Sequence, residues 1–156
     1  MAKGATQGIL LVEDNNEDYV VTQRILRRVT NRPIIHCIDG ESALDYLSRC
    51  GAHAEVQHTS RPALILLDLN LPATDGYEVL RQIKQDARLR TIPVVVLTTS
   101  ANPHDVELCY RYGANSYIVK PVDFERLRRS LELLTAYWFD VVTLLEGKSS
   151  WHIRDL

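Results

Sequence analysis

Nothing in this sequence approaches the length of a membrane span: the longest apolar runs, such as "LILL" and "VVVL", fall far short of the roughly 20 residues a bilayer needs. The opening "MAKGATQG" has no apolar h-region, so it does not read as a secretory leader. A surplus of positive charge is lacking too. Lys and Arg number 18 against 20 Asp and Glu, for a net charge of −2 with the signs interspersed, which argues against nucleic acid as a partner. Cysteines are scarce. The three present, Cys37, Cys50 and Cys109, are odd in number, widely spaced and set in apolar or helical contexts, as packing residues in a reducing compartment would be. Also absent is a G-x-G-x-x-G after the first apolar run. It reads "LVEDNNED" instead, and two acids where a pyrophosphate would sit oppose a dinucleotide site. A soluble, cytoplasmic protein is expected, with neither a membrane nor nucleic acid as partner.

What is there is an alternation of short Val/Ile/Leu-rich runs with longer stretches of helical periodicity, the pattern of an α/β protein. Strands are expected at Ile9–Val12, Ile34–Ile38, Ala63–Leu67, Pro93–Leu97 and Ser116–Val119. Helices are expected near Glu17–Thr30, Glu41–Arg49, Gly76–Asp86 and His104–Tyr112, with a fifth from Asp123 to about Phe139. The first, third and fourth strands are almost wholly apolar, as central parallel strands covered on both faces must be. Asp39 or Gly40, Asp75 and Asp123 stand where helix caps belong. "CGAHAEVQHTSRP", Cys50–Pro62, reads as an exposed loop. A chain of 156 residues has room for one domain and no separate output domain. We expect a flexible tail over 1–7, the domain over 8–139 and a C-terminal extension over 140–156.

Chemistry gathers at the strand ends. Glu13 and Asp14 follow the first strand and Asp68 follows the third, so an open parallel sheet brings them to its carboxyl edge, where such sheets bind ligands. Crowded carboxylates oppose one another's ionisation, and a hard divalent cation such as Mg²⁺ relieves that conflict. Solvated turn acids are the plainer reading of Glu13 and Asp14 taken alone. Thr98 after strand four and Lys120 after strand five change the balance. A hydroxyl and an ammonium directed at an aspartate suit a phosphoryl acceptor, because phosphoryl transfer is catalysed by positioning and charge neutralisation.

These residues resemble the response-regulator receiver family of two-component signalling over about Gly8 to Leu134, through "LLVEDN", "LILLDLNLPATDG", "PVVVLTTS" and "GANSYIVKP". The resemblance implies a doubly wound, flavodoxin-like fold with five parallel strands in the order 2-1-3-4-5. It implies Asp68 as phosphoacceptor, and Mg²⁺ held by Asp14, Asp68 and the backbone carbonyl of Asn70, with Glu13 acting through water. Thr98 and Lys120 would grip the phosphoryl group, Tyr117 would change rotamer as Thr98 moves, and the Lys120–Pro121 bond would be cis. Thr74 departs from the apolar residue many relatives carry before Asp-Gly. The long loop and "YWFDVVTLL" look like the small regulators paired with phytochromes of cyanobacteria and other bacteria.

The expected function is therefore a stand-alone response regulator phosphorylated by a sensor histidine kinase, with a phytochrome as the sensor the resemblance implies. It would be no enzyme on a separate substrate, catalysing only its own phosphorylation and dephosphorylation. A phosphorylation-independent interaction module with this fold is the alternative, opposed by the intact set Glu13, Asp14, Asp68, Thr98 and Lys120. A metal-dependent hydrolase lacks any cap for a substrate pocket. By resemblance, Arg24, Arg27 and Arg28 on the first helix belong to the kinase-docking face; a solvated charged face is the plainer reading. His36, His53, His58, His104 and His152 show no ligand spacing and read as surface residues. In the fifth helix, Phe124, Leu127, Leu131, Leu134 and Trp138 form a core-facing stripe. Leu133 and Tyr137, with Leu144 if the helix reaches it, fall about 100° away on the 3.6-residue period. Phe139, Val141, Val142 and Leu145 add to this apolar excess. A homodimer using Leu133 and Tyr137 is expected, against the alternative that the tail folds over its own domain.

Overall fold

The computed structural model describes residues 6–52 and 61–145, apart from the side chains of 50–52. Five parallel strands, β1 (Ile9–Val12), β2 (Ile34–Cys37), β3 (Leu64–Leu67), β4 (Val94–Thr98) and β5 (Ser116–Val119), form one sheet in the order β2-β1-β3-β4-β5. The interior strands β1, β3 and β4 are buried along their whole length. This is why they carry unbroken apolar runs rather than an alternation.

Helices α1 (Asn16–Val29), α2 (Gly40–Ala52), α3 (Gly76–Gln85), α4 (Pro103–Arg111) and α5 (Phe124–Ala136) cover the two faces. Their starts are written locally. The side chains of Asn15, Asp75, Asn102 and Asp123 accept from the backbone N–H groups of Asp18, Tyr77, His104 and Arg126, answering donors a helix leaves free at its first turn. Asp39 does the same for Ser42 at 2.7 Å. Successive strand residues face opposite sides, so the core divides in two. Leu10, Val12, Ile65 and Leu67 pack with Val79, Leu80 and Ile83 of α3, whereas Ile9, Leu11, Leu64 and Leu66 pack with Leu26 of α1 and Leu131 of α5. The short polar connections at the carboxyl edge are thereby held between rigid elements.

Several details differ from expectation. The α-helical part of α5 ends at Ala136, and one wide π-helical turn, Tyr137–Val141, follows and closes with Val142 N–H donating to Tyr137 O at 2.9 Å. Val142 is extended, so Leu144 is not on the helical face assigned to it. Phe124 is 44% exposed instead of joining Leu127, Leu131 and Leu134 in the core. It stands at the first position of the helix and lines a cleft of about 210 Å³ with Arg24, Arg28 and Arg128. Trp138 and Phe139 do turn onto their own domain, Phe139 beneath the Arg32 guanidinium 4.2 Å from its ring centroid.

The Lys120–Pro121 bond is trans, as is every peptide bond among the described residues. A prolyl bond favours trans by about 0.5–1 kcal/mol unless its surroundings require otherwise. Helix α2 runs to Ala52, past the expected end at Arg49, and most of the expected loop Cys50–Pro62 lies outside the described residues. Cys37 and Cys109 are buried, as packing residues should be, and the Cys50 side chain lies outside the described set. Thr74 has a packing role: a Cβ on Gly40 would come 3.0 Å from its Cβ, so the Thr74 methyl fills the room that glycine leaves.

Candidate phosphorylation site

Four of the five strands, β1, β3, β4 and β5, end by delivering a polar side chain to one edge. Carboxylate oxygens of Glu13, Asp14 and Asp68 lie within 4.8 Å of one another. Glu13 and Asp68 are buried, at 2% and 6% exposure, while Asp14 is open to solvent. Asp68 is held from both sides. Its Oδ1 accepts from Asn70 N–H at 3.1 Å and its Oδ2 from Lys120 Nζ at 3.2 Å. Lys120 also reaches Glu13 at 2.5 Å and Asp18 at 3.1 Å.

Three carboxylates thus share one ammonium, and Asp14 stands beside two of them. Burial alone would lower the Lys120 pKa, but its hydrogen bond to Glu13 and the charges of Asp68 and Glu13 outweigh that and hold it above the usual lysine value. Glu13 moves up as well, to about 7, because burial outweighs the hydrogen bond and charge of Lys120, and the Asp68 carboxylate adds to the rise. The ammonium is firmly charged, the Glu13 shift comes first from burial, and the carboxylates outnumber the single ammonium, leaving a negative surplus. That surplus, an all-oxygen donor set and an exposed Asp14 facing solvent are a chemically suitable seat for a hard divalent cation. Thr98 Oγ1 is buried at the end of β4 with no hydrogen-bond partner among the described residues. Such a hydroxyl costs stability until something accepts from it.

A second layer supports the site. Tyr117 Oη donates to Ser100 O at 2.9 Å, tying β5 to the connection that follows Thr98. Ser100 Oγ donates to Asp105 at 2.5 Å, and Asp105 also pairs with the Tyr77 hydroxyl of α3. Both bonds pull the Asp105 pKa down. On the other side His36 is half-buried rather than a surface residue. It stacks on Tyr19 at 3.6 Å between ring centroids, and its Nε2 lies 2.8 Å from Glu13 O. His104 is exposed; His53, His58 and His152 lie outside the described residues.

The structure brings Glu13, Asp14, Asp68 and Lys120 together and sets Asn70 beside Asp68. Thr98 stands at the end of the neighbouring strand, and Tyr117 is tethered to the same loop rather than to Thr98 itself. Sequence reading missed Asp18, His36 and the Tyr77–Asp105–Ser100 chain. Asp18 sits within the same "LVEDNNED" segment as Glu13 and Asp14, yet nothing local marks it as a neighbour of a residue 102 positions away.

The model of the response regulator receiver domain matches residues 9–132. The chain belongs to the response-regulator receiver family. Among curated relatives of this receiver is the probable methanogenesis regulatory protein FilR2 of Methanothrix harundinacea, 47% identical over 83% of this chain and 82% of its own length. Response regulator Rcp1 of Synechocystis sp. is 42% identical over 87% of this chain and 91% of its own length. The solved structure of the phosphorylated cyanobacterial phytochrome response regulator RcpA superposes with a TM-score of 0.82 at 40% identity, covering 91% of this chain and all of that one. The Mn²⁺-bound form of Rcp1 superposes at 0.77 and 39% identity, covering 90% of this receiver and 99% of that chain. The family, the flavodoxin-like fold and the kinship with phytochrome response regulators expected from the sequence are all met. No described helix of the receiver is long and apolar enough to cross a membrane.

Proposed function

We propose that this receiver is a stand-alone response regulator that takes a phosphoryl group onto Asp68 from a sensor histidine kinase. The observation that carries the reading is the pairing of buried Asp68 with Lys120 at 3.2 Å among acids that one ammonium leaves unbalanced. An Asp68 carboxylate oxygen attacks phosphorus, the bond from phosphorus to the donor's imidazole nitrogen breaks, and the histidine keeps that electron pair. The product is a carboxyl-phosphate anhydride. Lys120 neutralises charge on the transferred group, and the Thr98 hydroxyl finds in it the acceptor it lacks. Glu13, Asp14, Asp68 and the Asn70 carbonyl are the residues that would hold Mg²⁺, which when bound supplies charge neutralisation for phosphoryl transfer. The chain catalyses only its own phosphorylation and dephosphorylation in this reading.

Tyr117, tethered to Ser100, reports movement of the Thr98 connection to the α4–β5 side, so phosphate on Asp68 favours whichever conformation it contacts better. A phytochrome is the sensor suggested by likeness to RcpA, with the exposed Arg24, Arg27 and Arg28 of α1 on the docking side. The cytoplasm is the compartment we assign, with residues 8–139 as the receiver unit and 140–156 as its extension. Incubation with acetyl phosphate and Mg²⁺ followed by intact-mass measurement tests the whole reading. A phosphoryl adduct is expected, and a chain that never gains one would favour the interaction-module alternative.

Asp14→Ala should weaken Mg²⁺ binding by at least about tenfold, since the exposed carboxylate is the one a hydrated cation meets first. A Mg²⁺ titration followed by tryptophan fluorescence or calorimetry checks this, and an unchanged midpoint would remove Asp14 from the ligand set.

We also assign a homodimer. Leu133, Tyr137, Val141 and Leu145 remain 53–72% exposed, even though Trp138 and Phe139 of the same segment fold inward. An apolar row of this kind on one terminal segment fits a two-fold partner. Light scattering should show a wild-type dimer, and a folded monomer for the Leu133→Asp, Tyr137→Asp double variant. A wild type that stays monomeric at high concentration, phosphorylated or not, refutes the assignment.

A further inference from the structure

Lys120 meets three carboxylates, and one of them has no place in the chemistry above. Its Nζ lies 2.5 Å from Glu13 Oε2, 3.2 Å from Asp68 Oδ2 and 3.1 Å from Asp18 Oδ2. Glu13 and Asp68 belong to the oxygen cluster shared with Asp14, whereas Asp18 comes from the first turn of α1 and stands outside it. An ammonium has three protons and accepts nothing, so three carboxylates use all of its donors. When the oxygens of Glu13 and Asp68 turn to a cation or to an incoming phosphoryl group, Asp18 is the partner with no competing role. It is also well placed to stay. Its own backbone N–H is fixed by the Asn15 side chain at 3.0 Å, so the carboxylate springs from an anchored point of the helix. The Lys120 side chain is 7% exposed and that of Asp18 44%, so water solvates the far side of the carboxylate without reaching the ammonium.

We propose that Asp18 is a positioning residue: it holds one N–H of Lys120 so that the ammonium stays directed at Asp68 while the phosphoryl group is transferred. The proposal rests on Asp68 as the acceptor. Two opposing effects decide its sign. Asp18 adds negative charge near an anionic donor, which slows its approach, but it is the most exposed and hence the most screened of the three carboxylates on Lys120. Ordering a long lysine side chain into one geometry is the larger effect, because the rate depends on charge held in place at the transferring group.

The test follows the rate of phosphoryl uptake by the full chain from acetyl phosphate in saturating Mg²⁺, read by intact mass. Asp18→Ala is expected to react about fivefold to tenfold more slowly, less than the full worth of a charge-assisted hydrogen bond because Asp18 is partly exposed and Lys120 keeps two other carboxylates. Asp18→Glu keeps the carboxylate and should recover much of that loss. Glu17→Ala removes a neighbouring first-turn acid, and with it the same favourable interaction with the helix dipole, but Glu17 is exposed, so its variant should run at the wild-type rate. The Mg²⁺ midpoint of Asp18→Ala should stay near that of the wild type. Asp18→Ala reacting as fast as the wild type or faster, Glu17→Ala slowing equally, or a shifted Mg²⁺ midpoint that accounts for the slowing would each overturn the proposal. The underlying reading fails separately: a wild type that gains no adduct removes Asp68 as acceptor and Asp18 with it, whereas a wild type that labels fully beside an unimpaired Asp18→Ala removes Asp18 alone.

Discussion

Replacing Asp68 by Asn is expected to leave a folded chain that takes up no phosphoryl group. The substitution keeps shape and volume. The Asn amide oxygen still accepts from Asn70 N–H, the bond Asp68 Oδ1 makes at 3.1 Å. What changes is the other half of the group. An NH₂ now faces the Lys120 ammonium where a carboxylate oxygen stood at 3.2 Å, which sets donor against donor. Lys120 keeps Glu13 and Asp18, so it is not stranded, and losing one carboxylate relieves crowding among the acids. With the two effects opposed, stability should shift by no more than about 1 kcal/mol. Chemistry does not survive, because an amide lacks the anionic oxygen needed to form a carboxyl-phosphate anhydride. Intact mass after acetyl phosphate and Mg²⁺ should show a hydroxylamine-labile adduct on the wild type and none on the variant. An adduct persisting at full yield would move the acceptor to another carboxylate, with exposed Asp14 the first to examine.

That a site could be drawn from sequence at all follows from how parallel sheets deliver side chains. Wherever an apolar run ends, its next residue lands on the carboxyl edge, so "LLVED", "LILLD", "VVVLT" and "SYIVK" each place their last residue in one region. Helix starts were legible for a similar reason, since a cap is a contact between residues two or three apart. Contacts between distant segments left no such trace. Asp18 reaches Lys120, His36 stacks on Tyr19, and Tyr77 meets Asp105 because the folded chain brings them together, not because of any local spacing. Periodicity misplaced Phe124 as well. It occupies the right angular position on α5, but at the head of the helix it borders the cleft against α1 instead of the sheet. The wide turn over Tyr137–Val141 breaks the 3.6-residue rule on which the placement of Leu144 relied.

Gly76→Ala should lower stability by about 2 kcal/mol, and the reason lies in the loop that carries Asp68. Two effects compete at this position. Alanine favours a helix over glycine by up to about 1 kcal/mol, and Gly76 opens α3. Against that, a Cβ built on Gly76 would lie 2.5 Å from Leu69 Cα and 2.6 Å from Asp68 O, distances real Cβ atoms do not show. Both neighbours are backbone, so no side chain can swing aside. Either α3 withdraws from the sheet or the Asp68–Leu69 backbone moves. Withdrawal is resisted by Val79, Leu80 and Ile83, all fully buried in the core beneath. Movement of the loop is resisted at its far end, where Gly76 N–H donates to Leu69 O at 3.2 Å and Ala73 already holds a positive φ of 61°. Overpacking against fixed backbone therefore outweighs the gain in helix propensity. Because the displaced atoms belong to the Asp68 peptide, phosphoryl uptake should slow in the same variant even where it remains folded. Urea denaturation reads the first effect and intact mass the second. A midpoint equal to or above the wild type, with an unchanged rate of uptake, would mean that helix propensity governs position 76 and that the close approach of α3 to the acceptor loop does not constrain it.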